Sequence, residues 1–408
     1  MKPYTNRYWN VTMFNSAFEI IGEIEAAGGE AYIVGGAVRD ALIGRPIGDV
    51  DIATSLRPEE IQNIFEKVIP IGIEHGTVMV RYHSESYEVT TYRKEEGYED
   101  FRHPDEVTFV GDIREDLARR DFTMNAMAMG KDQTIVDPFG GQQAIKDKVI
   151  QAVGHPKERF FEDPLRMIRA VRFASQLGFT VESKTEEAIN EQAPLLKHIA
   201  IERIANEMIK LLAGQHFSQG FHVLCTTGMM EEFPLFQSQF DVKSHVPYVS
   251  LNSWPEAISY FVEKGIGENV KDWVKEWKLS NQIRHSAESI RMAYKEFQLT
   301  SSITPWLVYR LPRSLDQSFV RLIQAIHGED HRWQVQLSEQ ANELAIENRK
   351  DLAFQAADLI QLFHDEKKGS WIEEYMTRIE RTVVEGNIKN DYETIKEWVQ
   401  QWNRPVNN

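Results

Sequence analysis

The spacing of apolar and polar positions changes character once along this chain. Over roughly the first 150 residues, short apolar runs alternate with polar turns, as strands do in a mixed α/β domain. The pattern predicts strands over Ala31–Gly35, Val50–Thr54, Thr77–Tyr82, Tyr87–Tyr92 and Thr134–Asp137, with helices over Asn15–Ala27 and Arg57–Phe65. Between Tyr92 and Val107 the chain is charged and aperiodic, and reads as a mobile loop. From about Pro164 apolar residues recur every three or four positions. Helices follow over Pro164–Gln176, Thr185–Gln192, Glu202–Leu212, Ser218–Thr226, Leu352–Leu362 and Tyr392–Trp402. The layout is an α/β head followed by a long all-α body.

At 408 residues the chain is long for one core, so two to four domains are expected. Eight of its nine tryptophans fall after residue 250, where packing inside helical cores is their ordinary use. The single cysteine, Cys225, excludes an internal disulfide and a thiolate zinc site, and fits a reducing cytoplasm. The N-terminal stretch lacks the apolar core of a secretory signal, and the later apolar runs are too broken by charge to span a membrane. A formal charge of −16 argues at face value against a polyanionic partner, although a net figure hides any local basic strip.

Three clusters carry chemistry. In the first, Tyr32-Ile-Val-Gly-Gly-Ala-Val-Arg-Asp40 runs from an apolar strand through a glycine turn into a helix, and Gly48-Asp-Val-Asp-Ile52 follows. Side chains alternate along a strand, so Asp49 and Asp51 are expected on one face. Two such carboxylates can bridge Mg²⁺ while Gly35, Gly36 and Arg39 approach a triphosphate. Glu88, on a neighbouring strand, is the candidate third carboxylate. The second cluster, Leu117-Ala-Arg-Arg-Asp-Phe-Thr-Met-Asn-Ala126, mixes the donors and acceptors that ribose and phosphate require, though an ion-pair network at a helix start would use the same residues.

The third cluster is Phe161-Glu-Asp-Pro-Leu-Arg-Met-Ile-Arg-Ala-Val-Arg-Phe173. Asp163, Arg166, Arg169 and Arg172 are three apart and form a ladder on a helix, more cation than a cap needs. Asp163 can accept from the exocyclic amino group of cytosine or adenine while Arg166 donates to the ring nitrogen beside it. Uracil and guanine turn a carbonyl toward the carboxylate and are repelled.

With these clusters in this order, the chain resembles the bacterial class II tRNA nucleotidyltransferases, the CCA-adding enzymes of the polymerase-β-like superfamily. The resemblance is sharpest from Tyr32 to Leu212. Asp137-Pro-Phe-Gly-Gly141 is similar to that family's hinge and Glu202-Arg-Ile-Ala-Asn-Glu207 to its neck helix. The resemblance implies a head with a small mixed sheet flanked by helices over 1–150, a neck bearing the base-selecting motif over 151–214, a helical body over 215–300 and a tRNA-binding tail over 301–408. It implies Mg²⁺ on Asp49 and Asp51, triphosphate on Gly36 and Arg39, and sugar against Arg120. The base would meet Asp163 and Arg166, with Arg169 and Arg172 lining the same pocket. The reaction implied is template-independent addition of C, C and A to the 3′ end of tRNA from CTP and ATP.

Residues 93–105 stand where the family has the flexible loop needed to switch from C to A, which argues against an enzyme adding only the two cytidines. Near the C-terminus Gly369-Ser370 stands where the family more often has Gly-Pro before the tryptophan. Two rivals remain: a poly(A) polymerase sharing head and neck, which usually carries a basic C-terminal extension, and a catalytically inactive RNA-binding protein, which has no need of paired carboxylates. A phosphohydrolase is suggested only by His364-Asp365. A monomer and a homodimer are equally compatible with the sequence.

Overall fold

The computed structural model describes residues 14–98, 101, 106–236 and 246–402. The chain divides into two compact units, Met1–Ser244 and His245–Asn408.

The first unit opens with helix α1 (Asn15–Ala26), strand β1 (Ala31–Val34), α2 (Gly36–Ile43), β2 (Asp51–Thr54) and α3 (Pro58–Ile64). Strands β3 (Val68–Gly72), β4 (Thr77–Tyr82) and β5 (Glu85–Thr91) follow, and β8 (Ala128–Met129) and β9 (Ile135–Val136) complete a seven-stranded sheet ordered β3-β4-β5-β2-β1-β8-β9. Strands β2 and β5 run parallel, and the other neighbours run antiparallel. Alternation along the strands divides the apolar residues between two faces. On one face Ile33, Ile52, Val78, Val80 and Val89 pack with Ile20, Ile21 and Ile24 of α1. On the other, Val34 and Ala53 join Ala126, Ala128, Ile113 and Leu117. Asp51 pairs with Val34 across the ladder and so belongs to this second face, where apolar cover stops short of the strand's start.

The expected strands are all present, shifted by a residue or two. Among the strands that were not anticipated are an edge strand and a two-stranded ribbon. Strand β3 forms the sheet edge, with Ile69 and Ile71 about half exposed, so it shows little of the in-out alternation that marks a strand in a sequence. The supposed loop after Tyr92 is a two-stranded ribbon, β6 (Arg93–Glu96) paired with β7 (Glu106–Phe109). Its strands are held by ladder bonds and by ion pairs of Arg93 and Glu95 rather than by an apolar face, so hydrophobic periodicity is blind to them. Residues 99–100 and 102–105 of that segment lie outside the described residues.

Helices α4 (Ile113–Ala118) and α5 (Gly141–Asp147) lead through the short strand β10 (Val149–Ile150) and helix α6 (Pro156–Glu162) into α7 (Leu165–Leu177), β11 (Thr180–Val181), α8 (Ser183–Gln192), α9 (Ile201–Leu212) and α10 (Phe217–Thr226). Helices α7 and α10 approach closely because Gly220 has no side chain: a Cβ there would lie 2.6 Å from Ser175 Cβ and 2.9 Å from the Val171 carbonyl oxygen. Ser175 Oγ in turn donates to the Leu211 carbonyl of α9.

The second unit is helical among its described residues, from Trp254–Glu263 through the twenty-residue Asn281–Thr300 to Tyr392–Gln400. Trp273 and Trp277 are fully buried, and Trp254, Trp306, Trp333 and Trp371 nearly so. The helix expected over Leu352–Leu362 begins only at Ala356. Leu352 and Phe354 are buried on non-helical backbone, and Gln355 and Asp358 form a capping box that starts the helix. No helix among the described residues is long and apolar enough to cross a membrane.

Candidate active site

Strand β1 leaves the sheet through Gly35, whose φ of 72° is costly for any residue with a Cβ. A Cβ there would also lie 2.9 Å from Arg120 Nη1, so the guanidinium of Arg120 rests on the bare backbone of this turn. Gly36 is looser, its nearest neighbour for a Cβ being Arg39 Nη2 at 3.6 Å. One turn into α2, the nearly buried Arg39 donates through Nε and Nη2 to Asp40, both at 3.0 Å, and through Nη1 to Asn125 Oδ1 at 2.6 Å.

Asp51 is the first residue of β2 and pairs with Glu88 of β5, so the two carboxylates are side by side on parallel strands. Pairing starts one residue later than expected and leaves Asp49 on the approach to the strand. Among the described residues Asp49, Asp51 and Glu88 make no hydrogen bond or ion pair, and no three His, Cys, Asp or Glu side chains stand together as a metal cage. Asp51 is exposed to solvent at the start of β2. Desolvation and the neighbouring charge of Glu88 push its carboxyl up to about 6, with Asp49 adding and Arg120 opposing. A cluster of hard oxygen donors that repel one another is relieved by a divalent cation. An open site of this kind suits Mg²⁺, which keeps several waters or substrate oxygens in its shell. The residues therefore fit a metal.

Asp112 caps α4, accepting from the Arg114 amide at 2.8 Å. From that helix the fully buried Asp116 accepts from Arg119 Nε at 2.9 Å and Arg120 Nη2 at 3.3 Å. Arg119 also reaches Glu95 of the ribbon at 3.0 Å. Asp121 accepts from Asn125 Nδ2 at 3.0 Å, from the Phe122 amide at 2.8 Å and from Arg169 Nε at 2.8 Å. Burial would raise the Asp121 carboxyl, but Arg169 and Asn125 overcome it and hold it down at about 2.

Asp163 lies between α6 and α7 on extended backbone, accepting from the Leu165 amide at 3.2 Å and from Arg203 of α9 at 3.0 Å. Arg166 is nearly buried. It donates to Glu162 at 2.9 Å, to the Arg119 carbonyl at 3.0 Å and to the Arg159 carbonyl at 3.3 Å. Arg169 bonds Asp121, and Arg172 stands 2.8 Å from Glu207 without hydrogen-bond alignment. Burial, opposed by Glu207, lowers the Arg172 guanidinium to about 10.

The expected residues thus come together in the first unit: Arg39 joins the second cluster through Asn125, and Asp121 joins the third through Arg169. Sequence reasoning missed Asp116 and Glu95, two partners that aim the expected residues, whereas Arg203 falls inside the neck-helix motif Glu202–Glu207 and only its ion pair with Asp163 was unread. Asp116 was findable, since it is three and four residues before Arg119 and Arg120. The contacts of Glu95 with Arg119 and of Arg203 with Asp163 carry no local signal, because they span 24 and 40 residues.

A glycine turn feeding a helix, unpaired carboxylates at the mouth of the next strand and an arginine-lined wall define a nucleotidyltransferase. The family described as "Poly A polymerase head domain" matches residues 31–151, that of the RNA- and SrmB-binding site of polymerase A residues 178–240, and that of tRNA nucleotidyltransferase domain 2 residues 256–399. The chain is 43% identical to the CCA-adding enzyme of Anoxybacillus flavithermus, over 97% of this chain and 99% of that one. It is 41% identical to the CCA-adding enzyme of Oceanobacillus iheyensis, over 95% and 97%. The crystal structure of the Bacillus stearothermophilus CCA-adding enzyme in complex with CTP superposes with a TM-score of 0.86 at 37% identity, covering 98% of each chain. The chain belongs to the CCA-adding enzymes.

Proposed function

We propose that this chain adds C, C and A in turn to the 3′ end of tRNA, using CTP and ATP and releasing pyrophosphate, without a nucleic-acid template. The observation that carries the reading is the unpaired Asp49, Asp51 and Glu88 beside a wall of arginines whose donors are only partly engaged, in a chain that matches CCA-adding enzymes along its whole length.

Asp49 and Asp51 would hold Mg²⁺, which when bound supplies a Lewis acid for the α-phosphate and the attacking 3′-hydroxyl. Gly36 leaves backbone open to the triphosphate, and Arg39, fixed by Asp40 and Asn125, neutralises it. Arg120 lies against the sugar. Asp163 and Arg166 meet the base edge, each steadied from behind by Arg203 and Glu162, with Arg169 and Arg172 lining the pocket. The protein contributes positioning and charge neutralisation, with no covalent intermediate. The fourfold division into head (1–150), neck (151–214), body (215–300) and tail (301–408), with tRNA held by the helical parts, and a cytoplasmic location complete the reading.

The test is a single-nucleotide-resolution gel of tRNA lacking its 3′ end, incubated with Mg²⁺ and CTP, ATP or both. Extension to C-C with CTP alone and to C-C-A with both is expected. A ragged ladder of adenosines would establish a poly(A) polymerase instead, and no extension an inactive RNA-binding protein.

A further inference from the structure

Phe173 is the last residue of the third cluster, and nothing in the reaction above uses it. Its ring is almost fully buried, 4% exposed, and makes a T-shaped contact with Phe122, the centroids 5.8 Å apart and the planes at 86°. Three guanidinium carbons surround it: Arg172 at 4.1 Å from the ring centroid, Arg39 at 4.9 Å and Arg169 at 5.6 Å. Arg169 and Arg172 share α7 with the ring, whereas Arg39 comes from α2. One aromatic side chain is therefore the common neighbour of three cations drawn from two elements far apart in sequence.

Each of these arginines also has a carboxylate: Asp40 for Arg39, Asp121 for Arg169 and Glu207 for Arg172. A carboxylate fixes a guanidinium by occupying its N–H donors. A ring face attracts the same cation through its quadrupole and occupies none of them. Replacing Phe173 by an aliphatic residue would leave three like charges crowded around a surface that no longer offsets their repulsion. Replacing it by an acid would tie up donors. An aromatic ring holds the cations together without taking up an N–H donor.

We propose that Phe173 is a positioning residue of the nucleotide site, an aromatic hub that sets Arg39, Arg169 and Arg172 for an incoming nucleoside triphosphate without itself occupying any of their N–H donors. The proposal rests on the assignment of these arginines to the nucleotide pocket.

The test replaces Phe173 in the full chain with mono-, di- and trifluorophenylalanine by nonsense suppression. Fluorination removes the negative face of the ring with little change of shape. Steady-state KM for CTP, ATP and tRNA and the thermal midpoint are measured for each protein. KM for both nucleotides is expected to climb stepwise, by roughly 10-fold in total at trifluorophenylalanine. KM for tRNA and the thermal midpoint should hold within about 2-fold and about 2 °C. In nucleotide KM, Phe173→Tyr, which keeps the ring, should stay near wild type and Phe173→Leu should resemble the trifluoro protein, its lost packing lowering the midpoint in addition. A flat nucleotide KM across the series overturns the proposal. So does a rise within the fluorinated series that tracks a falling midpoint, since the ring would then only pack. Failure of the underlying assignment is separately visible, because Arg39→Ala and Arg172→Ala would then leave nucleotide KM unchanged.

Discussion

Arg166 of α7 donates a hydrogen bond from Nη2 to the backbone carbonyl of Arg119, 3.0 Å away and 47 residues earlier in the chain. The arginine proposed to read the base is thereby tied to the segment that carries Arg120 and Asp121. The residues proposed for base choice and for sugar contact therefore share one wall.

If Arg166 reads the base, Arg166→Ala should relax selection. A bidentate base contact discriminates by about 1–3 kcal/mol, so incorporation of UTP or GTP relative to CTP should rise by about 10- to 100-fold. Glu162→Gln, which weakens the ion pair fixing Arg166 at 2.9 Å, should give a smaller change in the same direction. Single-turnover assays with each nucleotide decide the matter, and unchanged selectivity in Arg166→Ala would sink the template idea.

Asp49→Ala and Asp51→Ala should abolish incorporation and leave tRNA affinity within about 2-fold. Neither carboxylate supports a hydrogen bond or ion pair among the described residues, so removing one leaves no buried partner stranded. Filter binding of tRNA beside the extension assay separates the outcomes. Loss of tRNA binding would make the carboxylates structural.

Gly35→Ala should be severe for so small a change. It places a Cβ at positive φ and 2.9 Å from Arg120 Nη1, so the backbone is strained and the guanidinium displaced. A stability loss of about 1 kcal/mol or more is expected, with a larger proportional rise in nucleotide KM. Gly36→Ala, at a helical position with 3.6 Å of room, should cost little stability. Any rise in its nucleotide KM would then come from the approach of phosphate to the backbone.

The pH dependence of stability should carry the signature of Asp121. Its carboxyl sits at about 2 in the folded chain, below the usual value near 3.9 in an unfolded one. A depressed group stabilises the fold above its unfolded value, and the contribution fades as pH falls from about 4 toward 2. The contribution is on the order of 2 kcal/mol at neutral pH. Urea unfolding of wild type and Asp121→Asn should therefore differ more at pH 6 than at pH 2.5. Equal differences at both pH values would show that Asp121 gains nothing from Arg169.

The local order of the polypeptide was legible wherever it depends on near neighbours. Strand and helix positions in the head and neck follow from side-chain period. The glycine turn after β1 and the arginine ladder of α7 are likewise written in consecutive residues, as are the metal carboxylates the family resemblance implies. What depends on pairing was not legible. The β6–β7 ribbon lacks an apolar face and exists through ladder bonds and through Glu95 reaching Arg119. The edge strand β3 is defined by its neighbour β4 and not by its own alternation. Glu88 stood in the sequence as a candidate third carboxylate on a neighbouring strand, without a register to place it. Only the parallel register of β2 and β5 brings it beside Asp51. The partners that aim the site, Arg203 for Asp163 and Asn125 for Arg39, lie 40 and 86 residues from the groups they hold. Chemistry is carried by residue types and short spacings, which a sequence displays. Orientation is carried by contacts across the fold, which exist only once burial has brought distant segments together.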